Sequence, residues 1–167
     1  MAFGFRCNRC ALYFNLLGFS LVAEKNAMKD ILRDLKFNHI GVAVRQDKDA
    51  LAMLESLGYS IGDRIYDPLQ NVYLRLCTAL EHPSVEVVLP GDEGKSPVDS
   101  IISKYNELIY HTCYETPDLV KTLECIEKAG LRCMALSERK PAVLFDGRHV
   151  SFYKIFGWGI IELLERY

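Results

Sequence analysis

The feature that most constrains this chain is a duplication at a spacing of 72 residues. His39 lies 19 residues before Gly58, and His111 lies 19 residues before Gly130. At the same offset Leu51 meets Leu123, Leu54 meets Ile126 and Glu55 meets Glu127. Few other identities match, so the signal is the ungapped register of histidine, helix face and glycine. A chain that repeats one supersecondary unit folds as like modules that bury their apolar faces together. With 167 residues, half of them hydrophobic, there is enough chain for one compact domain built from two small modules.

Each half follows the same order. In FNHIGVAV at 37–44, Ile40, Val42 and Val44 alternate with His39, Gly41 and Ala43. That is a period-two strand with one bulky face and one face of small residues around a histidine, the pattern of a strand lining a cavity. Asp47 or Asp49 can cap a helix to about Leu57, with Leu51, Leu54 and Leu57 at helical spacing and Gly58 closing it. Strand patterns follow at 59–65, 72–77 and 85–89, punctuated by Asp67-Pro68 and His82-Pro83. The polar stretch 90–96 leads into a short helix at 97–105. The second half reads as a strand at 109–116 with His111, then a helix at 118–129 with Leu119, Leu123 and Ile126 on one face and Gly130 behind it. Strands at 131–136, at 142–145 with 150–153, and at 159–165 complete it. The expectation is an α+β fold of two βαβββ modules, 36–90 and 108–167, joined by a linker at 91–107.

The last strand of each half sets one acid among apolar residues: Glu86 in SVEVVLP and Glu162 in GIIELLE. A buried carboxylate is costly unless it is paired, hydrogen-bonded or bound to a metal. Singly, a strand histidine or glutamate is ordinary. The recurrence of one histidine on the first strand and one glutamate on the last, in both halves, makes His39, Glu86, His111 and Glu162 a candidate metal set. Imidazole with carboxylate suits Zn, Ni, Co, Mn or Fe without selecting among them. His82 and His149 fall in apparent turns and read as surface residues.

Charge and leader signals bound the rest. A net charge of −2 and a pI near 6.1 leave no basic footprint for nucleic acid. No apolar run reaches the roughly 18–20 residues of a membrane span. Residues 1–35 read as an N-terminal extension or leader. Arg6 and Arg9 precede an apolar run at 11–23, which fits an export signal, an extra packed element, or a leader ahead of a start at Met28. Cys7 and Cys10 form a lone CxxC without further zinc ligands nearby, and Cys77, Cys113, Cys125 and Cys133 sit singly in apolar stretches. The last four read as reduced, buried thiols of a cytoplasmic protein.

The segments NHIGVAV at 38–44, VEVVLP at 85–90, YHTCYE at 110–115 and IIELL at 160–164 resemble the vicinal oxygen chelate superfamily, which includes glyoxalase I, methylmalonyl-CoA epimerase and the bleomycin-resistance proteins. The wording is nearest to the epimerases. The resemblance implies a curved, partly closed mixed sheet around one divalent metal held by His39, Glu86, His111 and Glu162. It implies an isomerase or lyase that moves a proton next to a carbonyl, with Glu162 as both ligand and base. The substrate would be a small molecule, a thioester or thiol conjugate, and the protein a homodimer. Arg139, Lys140 and Arg148 are cations available for an anionic tail. Two departures stand out. Epimerases commonly carry Gln where Glu86 stands, and the strand at 70–77 holds no second acid; Tyr73 or Arg75 occupies that neighbourhood, with Tyr73 either a substrate contact or a packing residue. Same-fold alternatives are a sequestering protein without catalysis and, last, a two-histidine, one-carboxylate dioxygenase.

Overall fold

The computed structural model describes residues 31–167. The readings of the leader, of Met28 and of Cys7 and Cys10 fall outside these residues. No helix among them is long and apolar enough to cross a membrane.

The first module runs β1 (Lys36–Val44), α1 (Lys48–Ser56), β2 (Ser60–Ile61), β3 (Ile65–Asp67), β4 (Val72–Thr78) and β5 (Ser84–Pro90). A linker helix, α2 (Asp99–Tyr105), leads to β6 (Glu107–Thr116), α3 (Leu119–Lys128), β7 (Cys133–Ala135), β8 (Lys140–Pro141), β9 (His149–Ile155) and β10 (Gly159–Glu165). All ten strands join one sheet in the order β2-β4-β5-β1-β6-β10-β9-β7, with β3 on β4 and β8 on β9. In each module the first strand pairs in parallel with the last, β1 with β5 and β6 with β10. The modules meet where β1 runs antiparallel to β6. The fold is thus α+β, with an open, curved sheet.

Period-two alternation sorts the strands between two faces. Val44, Val85, Val87 and Leu89 pack outward under α1 with Leu54. Ile161, Leu163, Tyr153 and Ile155 do the same under α3 with Ile126. The inner face carries Ala43, Val72, Leu74 and Val88, covered by Val98 and Ile102 around α2. The linker helix therefore closes the first module's inner face and leaves the middle of the sheet as a floor.

Local departures from the sequence reading have identifiable causes. The strand expected at 59–65 breaks into β2 and β3 at Gly62, where a Cβ would stand 2.3 Å from the Leu76 carbonyl oxygen. Residues 142–145 are no strand; Val143–Phe145 is a 3₁₀ turn. It ends at Asp146 and Gly147, both at positive φ, so the chain reverses into β9. Asp47 stands at the α1 N-cap position but makes no capping bond, because its carboxylate takes the Arg75 Nε–H at 3.1 Å. Asp118 does cap α3, accepting from the Lys121 N–H at 3.0 Å. Cys133 is exposed, unlike the buried Cys77, Cys113 and Cys125, because β7 is an edge strand. His149 starts β9 rather than sitting in a turn.

One turn needs a buried charge. Asp67 is fully buried and accepts the Leu69 and Gln70 backbone N–H groups and the Gln70 side-chain amide. Asp67→Ala leaves these donors without their acceptor. The expected loss is about 1–3 kcal/mol of stability, read by urea denaturation. A loss within 0.5 kcal/mol, the scale of a neutral surface change, would show that the turn holds without it.

Candidate metal centre

Two β-bulges build the site. Along the β1–β6 ladder, Phe37 faces Tyr114 and His39 faces Cys113, leaving Asn38 as an extra residue. Further on, Gly41 faces His111 and Val42 faces Ile109, leaving Tyr110 extra. The two bulges are again 72 positions apart, each directly before a histidine. A bulge re-aims the neighbouring side chains and sharpens the local twist. The ladder also places each histidine across from the residue two positions after the other: His39 opposite Cys113, and His111 opposite Gly41.

The pairing then brings in the acids. Glu86 on β5 lies beside Gly41, and Glu162 on β10 lies beside Cys113. All four side chains converge. His39 Nε2 is 3.1 Å from His111 Nε2, 3.1 Å from Glu162 Oε2 and 3.6 Å from Glu86 Oε2. His111 Nε2 is 3.3 Å from Glu162 Oε2 and 3.7 Å from Glu86 Oε2. The four residues are between 0% and 5% exposed.

These separations fit a metal. Ligands about 2.1 Å from a common ion stand about 3.0 Å apart when octahedral neighbours and about 3.4 Å apart when tetrahedral. A second observation agrees. Glu162 Oε2 lies near two imidazole nitrogens yet accepts no well-directed hydrogen bond and is buried without a partner. The four donor atoms all lie within 4.8 Å of one another, with the two Nε2 atoms at hydrogen-bond distance. The donor set of two imidazoles and two carboxylates could hold a divalent ion.

Electrostatics follow from the crowding. Burial alone would lower the pKa of His39, but the Glu162 and Glu86 carboxylates outweigh it and raise it to about 10. Burial would raise the pKa of Glu162, yet the His111 and His39 rings hold it well below the usual carboxylate range. Burial, with Glu162 beside it, pushes the Cys113 thiol well up, so it stays protonated.

The site forms the floor of a cavity of about 710 Å³, into which Glu86 and Glu162 open. Its wall is largely apolar and includes Val72, Leu74, Val88, Ile101 and Phe152, with Lys95, Lys140 and Glu138 among its charged residues. Of the three cations read from sequence as anchors, only Lys140 reaches the cavity, donating to the Leu69 carbonyl at 3.0 Å. Arg139 is paired with Glu165 and Arg148 with Glu115. Tyr73 lies off the cavity, on the opposite face of β4. Its hydroxyl donates to Asp92 at 2.6 Å and the Arg64 guanidinium covers its ring, so its position matches the packing role.

Several site residues were not legible in the sequence. Phe145 stacks on His39 with centroids 5.5 Å apart, carried there by the 3₁₀ turn. Tyr110 meets the His111 ring edge-on at 4.5 Å, and Phe152 contacts the same ring at 5.3 Å. Asn38 Oδ1 stands 2.9 Å from His39 Nδ1. The one available signal was the position of Asn38 and Tyr110 directly before each histidine.

A curved sheet made of two βαβββ modules around paired histidines and glutamates defines a class of proteins whose site could hold a divalent ion at the floor of a small-molecule cavity. A model of the Glyoxalase/Bleomycin resistance protein/Dioxygenase superfamily matches residues 38–152, and the chain belongs to this superfamily. An ethylmalonyl-CoA/methylmalonyl-CoA epimerase of Cereibacter sphaeroides is 29% identical over 132 residues, covering 77% of this chain and 96% of that protein. The structure is similar to methylmalonyl-CoA epimerase from Mycobacterium tuberculosis, with a TM-score of 0.64 and 19% identity over 79% of this chain and 88% of that one. It is also similar to Streptomyces coelicolor methylmalonyl-CoA epimerase in complex with 2-nitronate-propionyl-CoA, with a TM-score of 0.61 and 18% identity, covering 78% and 96%.

Proposed function

We propose that the protein is a divalent-metal-dependent isomerase or lyase that moves a proton next to a carbonyl, in the manner of a methylmalonyl-CoA epimerase or a glyoxalase I. The observation that carries this reading is the convergence of His39, Glu86, His111 and Glu162 on the floor of a mostly apolar cavity. A metal held there would polarise a substrate carbonyl and make the adjacent C–H more acidic. Glu162 takes that proton and returns it: it faces the cavity, and its environment keeps it ionised. The apolar wall excludes water and accepts the acyl portion, while Lys95 and Lys140 suit an anionic part of a thioester substrate.

Inverting a carbon centre needs protons from both faces. The Asp67–Asn71 turn brings Leu69, Gln70 and Asn71 to the wall and no acid. Glu138 is the wall carboxylate outside the metal cluster. A single-base proton shift, as in the glyoxalase reading, needs Glu162 alone; an epimerase would draw on Glu138 for the opposite face.

The first test is the metal itself. Purified protein is expected to carry about one divalent transition metal per chain, lost to a chelator and regained on refeeding. Free metal at about 1,000 times its Kd stabilises the native state by about 4 kcal/mol, seen as a rise in Tm. A chain that takes up no metal and shows no thermal shift belongs instead with the sequestering members of the fold, and the enzyme reading fails.

A further inference from the structure

The two histidines of the centre are held differently, although their strands are related by the duplication. His111 is confined by contact: its ring lies over Gly41, and its Nδ1 is buried without a hydrogen-bond partner. His39 is confined by a hydrogen-bond chain. Its Nδ1 is 2.9 Å from Asn38 Oδ1, and Asn38 Nδ2 donates to Glu115 Oε1 at 3.1 Å. Arg148 Nη2 donates to the same oxygen at 2.8 Å, and Arg166 Nε lies 3.8 Å from Glu115 Oε2. Phe145 stacks on His39 with ring centroids 5.5 Å apart, and the Arg148 guanidinium carbon lies 5.9 Å from the Phe145 ring centroid.

The chemistry of this chain has only one sense. The Glu115 carboxylate accepts hydrogen bonds and donates none. Asn38 must therefore turn its NH₂ toward Glu115, which turns its carbonyl oxygen toward His39. A carbonyl oxygen facing Nδ1 requires the proton on Nδ1. The lone pair of a neutral His39 then falls on Nε2, the atom aimed into the centre. With Asn38 reversed, Nδ1 would have to accept, the proton would sit on Nε2, and the ring could not ligate. The bulge at Asn38 makes the chain possible by freeing that residue from the β1–β6 ladder.

We propose that Glu115, acting through Asn38, is a positioning residue that sets the tautomer of His39 for metal binding, so that an acid two groups away from the ion tunes its affinity. The inference rests on the metal reading above, and the experiment separates the two. Chelator-stripped protein is titrated with Co²⁺ by visible absorption, for wild type, Glu115→Gln, Asn38→Asp and the double variant Asn38→Asp/Glu115→Gln.

Wild type is expected to bind Co²⁺. Glu115→Gln lets the Asn38 amide take either orientation and is expected to weaken Co²⁺ by about 10–100-fold. Asn38→Asp sets two carboxylates face to face and is expected to weaken it as well. The double variant moves the single negative charge next to His39: with Asn38→Asp the new carboxylate accepts from Nδ1, and with Glu115→Gln the new amide turns its NH₂ toward that carboxylate and its oxygen toward Arg166, releasing the Arg148 Nη2–H. It is expected to recover most of the affinity. A purely structural role for Glu115 predicts no such rescue. Nitrogen-15 NMR of zinc-loaded wild type gives a readout independent of any variant and is expected to show the His39 proton on Nδ1.

Unchanged affinity in Glu115→Gln, absence of rescue in the double variant, or a His39 bound to zinc through Nδ1 each overturns the inference while leaving the metal reading intact. Failure of wild type to bind Co²⁺ overturns the metal reading, and the inference with it.

Discussion

Glu162→Gln is expected to cost proton-transfer activity on the order of 10²–10⁴-fold, the range that a positioned general base supplies. The measurement is exchange of the substrate's C2 hydrogen with solvent deuterium, followed by NMR on methylmalonyl-type thioesters and on 2-oxo thiohemiacetals. Glutamine keeps the shape of the side chain and one oxygen, but it cannot carry the proton. The substitution also removes the charge that faces both imidazoles, 3.1 and 3.3 Å away. Metal content should therefore fall in the same variant, and activity must be compared at saturating metal. Exchange that proceeds at the wild-type rate with metal bound would take Glu162 out of the base role and move attention to Glu86, the other wall carboxylate of the cluster. Glu138→Gln separates the two reaction types: loss of inversion with exchange retained identifies an epimerase, whereas no effect on either fits a single-base shift.

The second large effect is expected from Gly41→Ala. A Cβ at this position would stand 2.0 Å from His111 Cε1 and 2.3 Å from Nδ1, with the Nε2 atom 2.5 Å away. No rotamer of alanine avoids this, so the imidazole must leave its place. Forcing an extra carbon into a packed interior costs about 1–3 kcal/mol, and here the group displaced is a proposed ligand. The expected outcome is a lower Tm together with loss of stoichiometric metal, measured on the purified variant. Cys113→Ala is the matched control, because Cys113 stands opposite His39 as Gly41 stands opposite His111. It removes one buried sulfur at about 1 kcal/mol and leaves His39 in place. Full metal occupancy in Gly41→Ala would mean that His111 is not needed to hold the ion.

These two predictions draw on different layers of the molecule. Glu162 was visible in the sequence, since an acid in an apolar strand at the end of a repeat calls for a partner. The role of Gly41 was not. It read as one of several small residues on the face of β1, and only the ladder that sets it against His111 shows what it makes room for. The same holds for Glu115. In the sequence it follows YHTCY as one more charged residue, and its link to His39 depends on Asn38 leaving the ladder at a bulge.

Sequence by itself determined the repeat, the order of strands and helices, and the four residues that meet. Those rest on period-two and 3.6-residue spacing and on the cost of burying a carboxylate, which are local properties of a chain. It erred where local pattern was overruled. Residues 142–145 look like a strand but turn, because the hairpin into β9 must reverse at Asp146 and Gly147. For Tyr73 the sequence left a substrate contact and packing both open, and its place on the face of β4 away from the cavity is that of a packing residue. Only the tertiary structure decided the pairing of β1 with β6, the two bulges, and hence the distances among His39, Glu86, His111 and Glu162. Register between strands far apart in the chain is set by how both faces of the sheet pack at once, and a one-residue shift there reverses every side chain. The duplication at 72 residues names the four candidate ligands, and the antiparallel seam between its two copies brings them together.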